Sequence, residues 1–505
     1  MSSKMSYEFQ SLYEFLTHNA KKYPNKIAIF IDDDKISYAD ILRYVDRFAK
    51  YLLSIGVSKG DRVALFMQNS AEFIYSIFAI SKLGAISVPI NTFLKSDELE
   101  YILQNSGAKV LVVSDIYKDV VTNSHIEDIL DEIIWVDKKG LRYTLNEDIS
   151  ITDGNSSLDD CAIIVYTSGT TGRPKGAMLS NKNIMSNIKS GALDIKIVPK
   201  DRTIVFLPMF HSFTLSIGVL LPLYVGASLV VVRSLRPFNN IFKQTLLKRV
   251  SVFMGVPDVY SALSKAKLPW YFIWFNSIRV FISGAAPLQS KTIDAMRDKF
   301  KKAKLLEGYG LSEASPAVAI NRLERQKVGS VGIALSGYEI KIVDENLNEL
   351  PRGEVGDIIT YGDNVMLGYW QNPEATQETI INGWLLTGDI GYMDSDDFLY
   401  IVDRKKDLII SKGINIYPRE IEEYIDRFDG VKMSAVVGEF DNGMEIPVAY
   451  IELEDGVDSI DIRELKQYLK EHLANYKIPK HINIIDELPK NATGKVLKRV
   501  LKDNR

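Results

Sequence analysis

Tyr166-Thr167-Ser168-Gly169-Thr170-Thr171-Gly172-Arg173-Pro174-Lys175-Gly176 packs three glycines, four aliphatic hydroxyls and two cations into eleven residues, directly after the apolar run Ala162–Val165. Glycines let a loop curl so that several backbone N–H groups point at one place. The hydroxyls add donors and the cations add charge. That combination suits a polyphosphate. The stretch does not fit the G-x-x-x-x-G-K-[ST] phosphate loop. A Ser/Gly-rich surface linker has a similar composition, but linkers rarely follow a buried strand or end in Pro-Lys-Gly.

Further stretches carry chemistry downstream. Phe281-Ile282-Ser283-Gly284-Ala285-Ala286-Pro287-Leu288 is an apolar strand ending in small residues, against which a flat ligand fits; a tight strand-to-helix turn reads the same way. Glu307-Gly308-Tyr309-Gly310-Leu311-Ser312-Glu313 joins an aromatic, a hydroxyl and a carboxylate in one turn. Tyr309 is suited to stacking on a base and Glu313 to holding Mg2+ through oxygen, although an ordinary strand-to-loop exit looks alike. It is not G-x-G-x-x-G, because Glu313 takes the third glycine's place. Thr387-Gly388-Asp389 sets a carboxylate in a glycine turn, where it is able to accept two ribose hydroxyls; alone, such a residue is more often a plain turn. Leu488-Pro489-Lys490-Asn491-Ala492-Thr493-Gly494-Lys495 puts a lysine on a loop that would read, in isolation, as a solvated basic tail.

These residues need a scaffold, and the chain supplies one. Its 505 residues are too many for one core, so two or more domains are expected. Strand and helix patterns alternate as far as Ile320, which predicts α/β layers with largely parallel sheets. Ser11–Tyr23 has apolar residues at helical spacing, and Ser37-Tyr38-Ala39-Asp40 resembles a capping box opening a second helix. After about Val328 short strands and turns predict a small β-rich subdomain. From Asp403 on, the pattern predicts a separate α+β domain of about 100 residues. The expected division is 1–402 for the large N-terminal domain, 403–407 for a hinge and 408–505 for a mobile C-terminal domain.

Charge is 61 cations against 65 anions, a net −4, which argues against nucleic-acid binding. The single cysteine, Cys161, excludes an intramolecular disulfide and a Cys-cluster metal site, and a reducing cytoplasmic setting is expected. The first ten residues hold no apolar h-region, so no signal peptide is expected. Thr203–Val232 lacks a formally charged residue, yet Pro208, Pro222, Gly218, Gly226 and His211 interrupt it. A strand, loop, helix and second strand fit it better than a membrane span. Lys267–Phe275 is densely aromatic; a buried helix is expected there, with contact to lipid or a partner as the other reading.

In their order and spacing these motifs resemble the adenylate-forming (ANL) superfamily of acyl-CoA synthetases, luciferases and peptide-synthetase adenylation domains. The likeness spans nearly the whole chain and includes Ser81–Asn91. Within it, Tyr400–Asp407 and Asn415–Glu422 look most like bacterial medium- and long-chain fatty acyl-CoA ligases. The resemblance implies two half-reactions: a carboxylate attacks ATP to give acyl-AMP and pyrophosphate, then CoA displaces AMP. It implies ATP, Mg2+ and CoA as partners, with a fatty acid or related carboxylic acid, and a monomer or homodimer with peripheral membrane contact left open.

By match, the resemblance implies that Thr167, Ser168, Gly169, Thr170, Thr171, Gly172 and Lys175 hold the β- and γ-phosphates. Gly284, Ala285, Ala286, Glu307, Gly308, Tyr309 and Gly310 form the nucleotide site, Ser312 touches the α-phosphate and Glu313 binds Mg2+. Asp389 takes the ribose hydroxyls with Arg404 in support. Lys495 stabilises charge on the reacting carboxylate and α-phosphate. His211, Phe213, Val256 and Gly284 belong to the acyl site, Lys412 and Gly413 to the CoA path, and Lys406 to the hinge. The family often has Thr at Ser312 and Gly at Ala285. Amino-acid-activating relatives carry an aspartate near His211, and this chain has none. A carrier-protein-loading or aryl-CoA ligase shares the chemistry; a non-catalytic acyl- or nucleotide-binding protein is the reading from another class.

Overall fold

The computed structural model describes residues 6–122, 125–138, 140–144, 156–167, 173–233, 238–411, 414–441, 444–490 and 494–503. Ser168–Gly172, Lys412 and Gly413 lie outside the described residues.

Two large sheets build the N-terminal domain. One has a parallel core of Ile86–Pro89, Arg62–Phe66, Val110–Ser114 and Glu132–Asp137, flanked by the antiparallel hairpin Cys161–Thr167 and Lys175–Ser180. The other runs parallel through Lys304–Gly310, Val280–Ser283, Val252–Gly255, Arg202–Val205, Ser228–Val231 and Ile27–Ile31. The inner strands are apolar on both faces because helices cover both faces. Val252–Gly255 and Val280–Ser283 are buried throughout. The helix Ala71–Lys82 is buried on every side, which is why its sequence shows no polar stripe.

Local signals hold. Ser11 caps the helix Leu12–Lys22, and Ser37 and Asp40 close a capping box at the start of Tyr38–Ser54. The uncharged stretch 203–232 forms the expected strand, helical segment and strand; its helical part, Thr214–Leu220, is π-type. Among the described residues no helix is long and apolar enough to cross a membrane.

One expectation is corrected. The helix Trp270–Phe275 buries only Phe272 fully, while Trp270, Tyr271, Trp274 and Phe275 face outward. A continuous aromatic run does not say which side packs; the Phe242 ring meets Phe272 at 5.3 Å and fixes the inner face.

A β-rich sheet of Glu339–Val343, Gly356–Tyr361, Ile380–Ile381, Trp384–Met393 and Leu399–Arg404 follows. Residues Lys405–Asp407 make one 3₁₀ turn into the C-terminal domain. There the helices Pro418–Ile425 and Ile462–His472 pack on Val431–Asp441, Met444–Leu453 and His481–Ile485. Ile409, Ile421, Ile425, Val436, Ile451, Leu465 and Leu469 give it a core of its own. The molecule is therefore a large layered α/β domain followed by a small α+β domain.

Candidate active site

The strands on either side of the glycine-rich stretch pair antiparallel, with Thr167 and Lys175 facing each other in register. Opposite them the strand Lys304–Gly310 ends in a 3₁₀ turn, Ser312–Ala314. Gly310 is required here: a Cβ would lie 2.2 Å from the Pro316 carbonyl oxygen. The turn brings Glu313 to the hairpin, and Thr167 Oγ1 donates to Glu313 Oε1 at 3.3 Å. Tyr369 Oη donates to the same oxygen at 3.0 Å, and the Lys175 ammonium sits 5.3 Å from the Tyr369 ring centroid. Among the described residues both hydrogen bonds to this carboxylate fall on Oε1, which leaves Oε2 open to a cation. Mg2+ accepts such a site, because it is commonly held by one or two carboxylates together with substrate phosphates.

Ser312 Oγ lies 2.9 Å from the buried Ser212 Oγ, which joins this turn to the His211 segment. The Phe213 N–H donates to His211 Nδ1 at 3.3 Å, so the ring proton belongs on Nε2. Burial lowers the imidazole to about 4, and it is neutral near pH 7. The Phe213 ring lies against Gly284, where a Cβ would stand 3.2 Å from it. Val256 is buried and precedes the helix Pro257–Lys265. Ala285 has φ +71°, in the left-handed region that favours glycine. Ala286 follows it in the same turn. The Leu288 N–H donates to the buried Glu307 carboxylate at 3.2 Å, so Glu307 ties this turn to its neighbouring strand. Burial pushes that carboxyl up to about 7.

Tyr309 Oη donates to Asp389 Oδ2 at 2.5 Å. Asp389 and Arg404 are cross-strand partners, with Arg404 Nε 3.5 Å from Asp389 Oδ1. The last member comes from the small domain. Burial lowers the Lys495 amine to about 7; the Arg404 charge pushes the same way, and Asp389 and Asp407 oppose it. Lys495 is half-buried and feels the charges of Arg404, Asp389 and Asp407. Gln289 Nε2 donates to Asp426 Oδ2 at 2.6 Å, Lys265 pairs with Glu454 at 2.8 Å, and Lys490 approaches Asp258 at 3.6 Å. These contacts seat the small domain. Lys406 is exposed in the connecting turn, beside Asp403, whose carboxylate accepts from the Arg419 N–H of the small domain at 2.8 Å.

The fold thus gathers Thr167, Lys175, Glu313 and Ser312 at one end, Tyr309, Asp389, Arg404 and Lys495 at the other, and His211, Phe213 and Gly284 alongside. Sequence reasoning missed Tyr369 and Ser212. Ser212 adjoins His211 in the sequence. Tyr369 carries no spacing signal; only its short pairing with Lys175–Ser180 brings it in.

The family model "AMP-binding enzyme" matches residues 16–370, and "AMP-binding enzyme C-terminal domain" matches 420–495. The chain belongs to this adenylate-forming family. A feruloyl-CoA synthase of Amycolatopsis sp is 33% identical over 494 residues, covering 97% of this chain and 98% of that protein. A long-chain-fatty-acid–CoA ligase of Salmonella typhimurium is 32% identical over 534 residues, covering 98% and 94%. The crystal structure of ATP-bound MatB from Rhodopseudomonas palustris aligns with a TM-score of 0.89 at 33% identity, covering 97% and 98%; the apo form of MatB scores 0.79. The chemistry is that of an AMP-forming acid–CoA ligase, which uses ATP, Mg2+ and CoA.

Proposed function

We propose that this chain converts a fatty acid to its acyl-CoA. A carboxylate oxygen of the acid forms a bond to the α-phosphorus of ATP while the α–β bridging oxygen leaves with pyrophosphate. The CoA thiolate then attacks the acyl carbonyl, and AMP leaves. A carboxylate is a poor electrophile and AMP a good leaving group, so the work is alignment and charge stabilisation.

The half-buried Lys495 of the small domain, set in the fields of the paired Asp389 and Arg404, carries this reading. A small-domain ammonium partly buried at the proposed nucleotide site is what the first half-reaction needs. Thr167, Lys175 and the loop 168–172 are assigned to the β- and γ-phosphates, and Ser312 to the α-phosphate. Gly284–Ala286 and Glu307–Gly310 are assigned to the nucleotide, and Asp389 with Arg404 to the ribose. Glu313 would hold Mg2+, which supplies charge neutralisation at the phosphates. Lys406 is assigned to a hinge between domains near 1–402 and 408–505, and Lys412 and Gly413 to the thiol path.

Acid preference rests on charge. The segments 203–232, 252–257 and 280–286, which contribute His211, Phe213, Val256 and Gly284, hold no formally charged residue. His211 is neutral. A second carboxylate or an ammonium on the acid would be desolvated there without a partner. Met254 backs Gly218, where a Cβ would meet its methyl at 2.5 Å, and a flexible thioether suits an aliphatic chain. The full-length likeness to a feruloyl-CoA synthase favours an aryl acid as the second reading.

CoA-dependent AMP release across acids of increasing chain length, with ferulate and amino acids alongside, tests the choice. A maximum among aliphatic acids supports the proposal. A preference for ferulate installs the aryl reading, and release that requires a carrier protein in place of CoA overturns the acceptor.

A further inference from the structure

We propose that the Trp270–Phe275 helix is a docking surface for an anionic lipid bilayer. Trp270, Tyr271, Trp274 and Phe275 are 70%, 47%, 71% and 68% exposed. They fall at positions i, i+1, i+4 and i+5, on one side of a short helix. Their rings touch: Trp270 lies 6.1 Å from Tyr271 and 6.2 Å from Phe275, centroid to centroid. Phe272 and Ile273 point the other way and pack against the core. The aromatic face is therefore held outward by its own anchor. Leu247, at the end of the neighbouring helix Phe238–Leu247, adds a further exposed apolar side chain. Single exposed apolar residues are ordinary; a contiguous aromatic face marks a contact surface.

Charge identifies the occupant. Residues 238–280 carry six cations, Lys243, Lys248, Arg249, Lys265, Lys267 and Arg279, against one carboxylate, Asp258. Lys265 pairs with Glu454 and Arg279 with Asp201. Lys248 lies over the Phe30 ring, while Lys243, Arg249 and Lys267 are exposed on a protein whose net charge is −4, so the cationic excess is local. Trp and Tyr settle at the headgroup level of a bilayer, where an apolar ring and a polar N–H or O–H are both accommodated. Nearby Lys and Arg add attraction to anionic headgroups. A second copy of the chain fits poorly, since a two-fold contact would set these cations against their own copies. The helix follows Val256 through Pro257–Lys265, so a chain segment of the proposed acid site leads to the patch. Vesicle binding reads the patch and the acid panel reads the pocket, and either can fail without the other.

The test is co-sedimentation of the full chain with vesicles of equal parts phosphatidylglycerol and phosphatidylcholine, with tryptophan emission as a second readout. The wild type should sediment with the vesicles and shift its emission to shorter wavelength. Trp274→Ser with Phe275→Ser should lower binding at least about tenfold, leaving turnover of a water-soluble acid unchanged. Lys243→Glu with Lys267→Glu, which disturbs no packing, should lower binding to anionic vesicles and keeps the test valid if the aromatic variant misfolds. A wild type that ignores vesicles, or variants that bind as well as it does, would overturn the proposal. Dimers that need the aromatic patch and form without vesicle binding would assign the surface to a second copy instead.

Discussion

In the proposed reaction Lys495 is the residue on which the chemistry turns. Its amine is lowered to about 7 by burial, then by the Arg404 charge, with Asp389 and Asp407 pulling the other way. Only the protonated form stabilises negative charge at the reacting carboxylate and phosphate. The free enzyme therefore loses the active form as pH rises through that value, and kcat/KM for adenylation should fall there. Bound phosphates restore the charge, so the fall in kcat should come at higher pH. Lys495→Arg keeps its charge at all these values and should flatten the kcat/KM profile even if its rate is lower. A pH-rate profile of both proteins checks this; the same inflection in Lys495→Arg would assign the titration elsewhere. His211 adds no charge to compete, being held neutral by its burial.

At the scale of elements, the site is made where strands end. Asp389 and Arg404 meet because Trp384–Met393 and Leu399–Arg404 pair in register, and Thr167 meets Glu313 because a hairpin and a turn converge. Such turns are legible in sequence as a set, since glycine, hydroxyl and charge recur together at several strand ends, although each turn alone reads equally as a plain loop. Tyr369 and Ser212 were not legible, because a lone tyrosine and a lone serine carry no pattern until a distant strand is placed. The Trp270–Phe275 helix failed for a related reason: six consecutive apolar residues have no periodicity to show an outer face. Glu307 gives the element scale its test. Burial raises its carboxyl from 4.5 to about 7, so the folded state holds a proton that the unfolded chain releases between those values. Its contribution is complete below about 4.5 and is lost as pH rises through about 7. Glu307→Gln keeps an acceptor for the Leu288 N–H without the charge. It should unfold at a higher temperature than the wild type above pH ~8, by on the order of 2 kcal/mol, with the gap closing toward pH ~5. Thermal unfolding across pH measures it; a gap that is absent or widens at low pH would contradict it.

At the scale of the molecule, two domains meet through a polar seam. The small domain has its own core, and Gln289–Asp426, Lys265–Glu454 and Lys490–Asp258 are contacts that water can replace. The proposed hinge would need such a seam to open and close. The two-domain plan was legible from the change of texture near Asp403, but which face of the small domain meets the large one was not, because that depends on side chains far apart in sequence. If Lys406 is the pivot, Lys406→Pro, which fixes φ and removes an N–H, should slow thioester formation at least about tenfold while adenylation stays within about twofold. Single-turnover assays of the separate steps decide it; an unchanged CoA step would remove Lys406 from the hinge.

The central claim is that Lys495 of the small domain serves the first half-reaction alone. It is tested most directly by measuring both half-reactions in Lys495→Ala. Carboxylate-dependent exchange of pyrophosphate into ATP should fall at least about a hundredfold, the usual loss when one group stabilising transition-state charge is removed. Thioester formation from supplied acyl adenylate and CoA should stay within about threefold of the wild type. Equal loss of both steps would contradict the account.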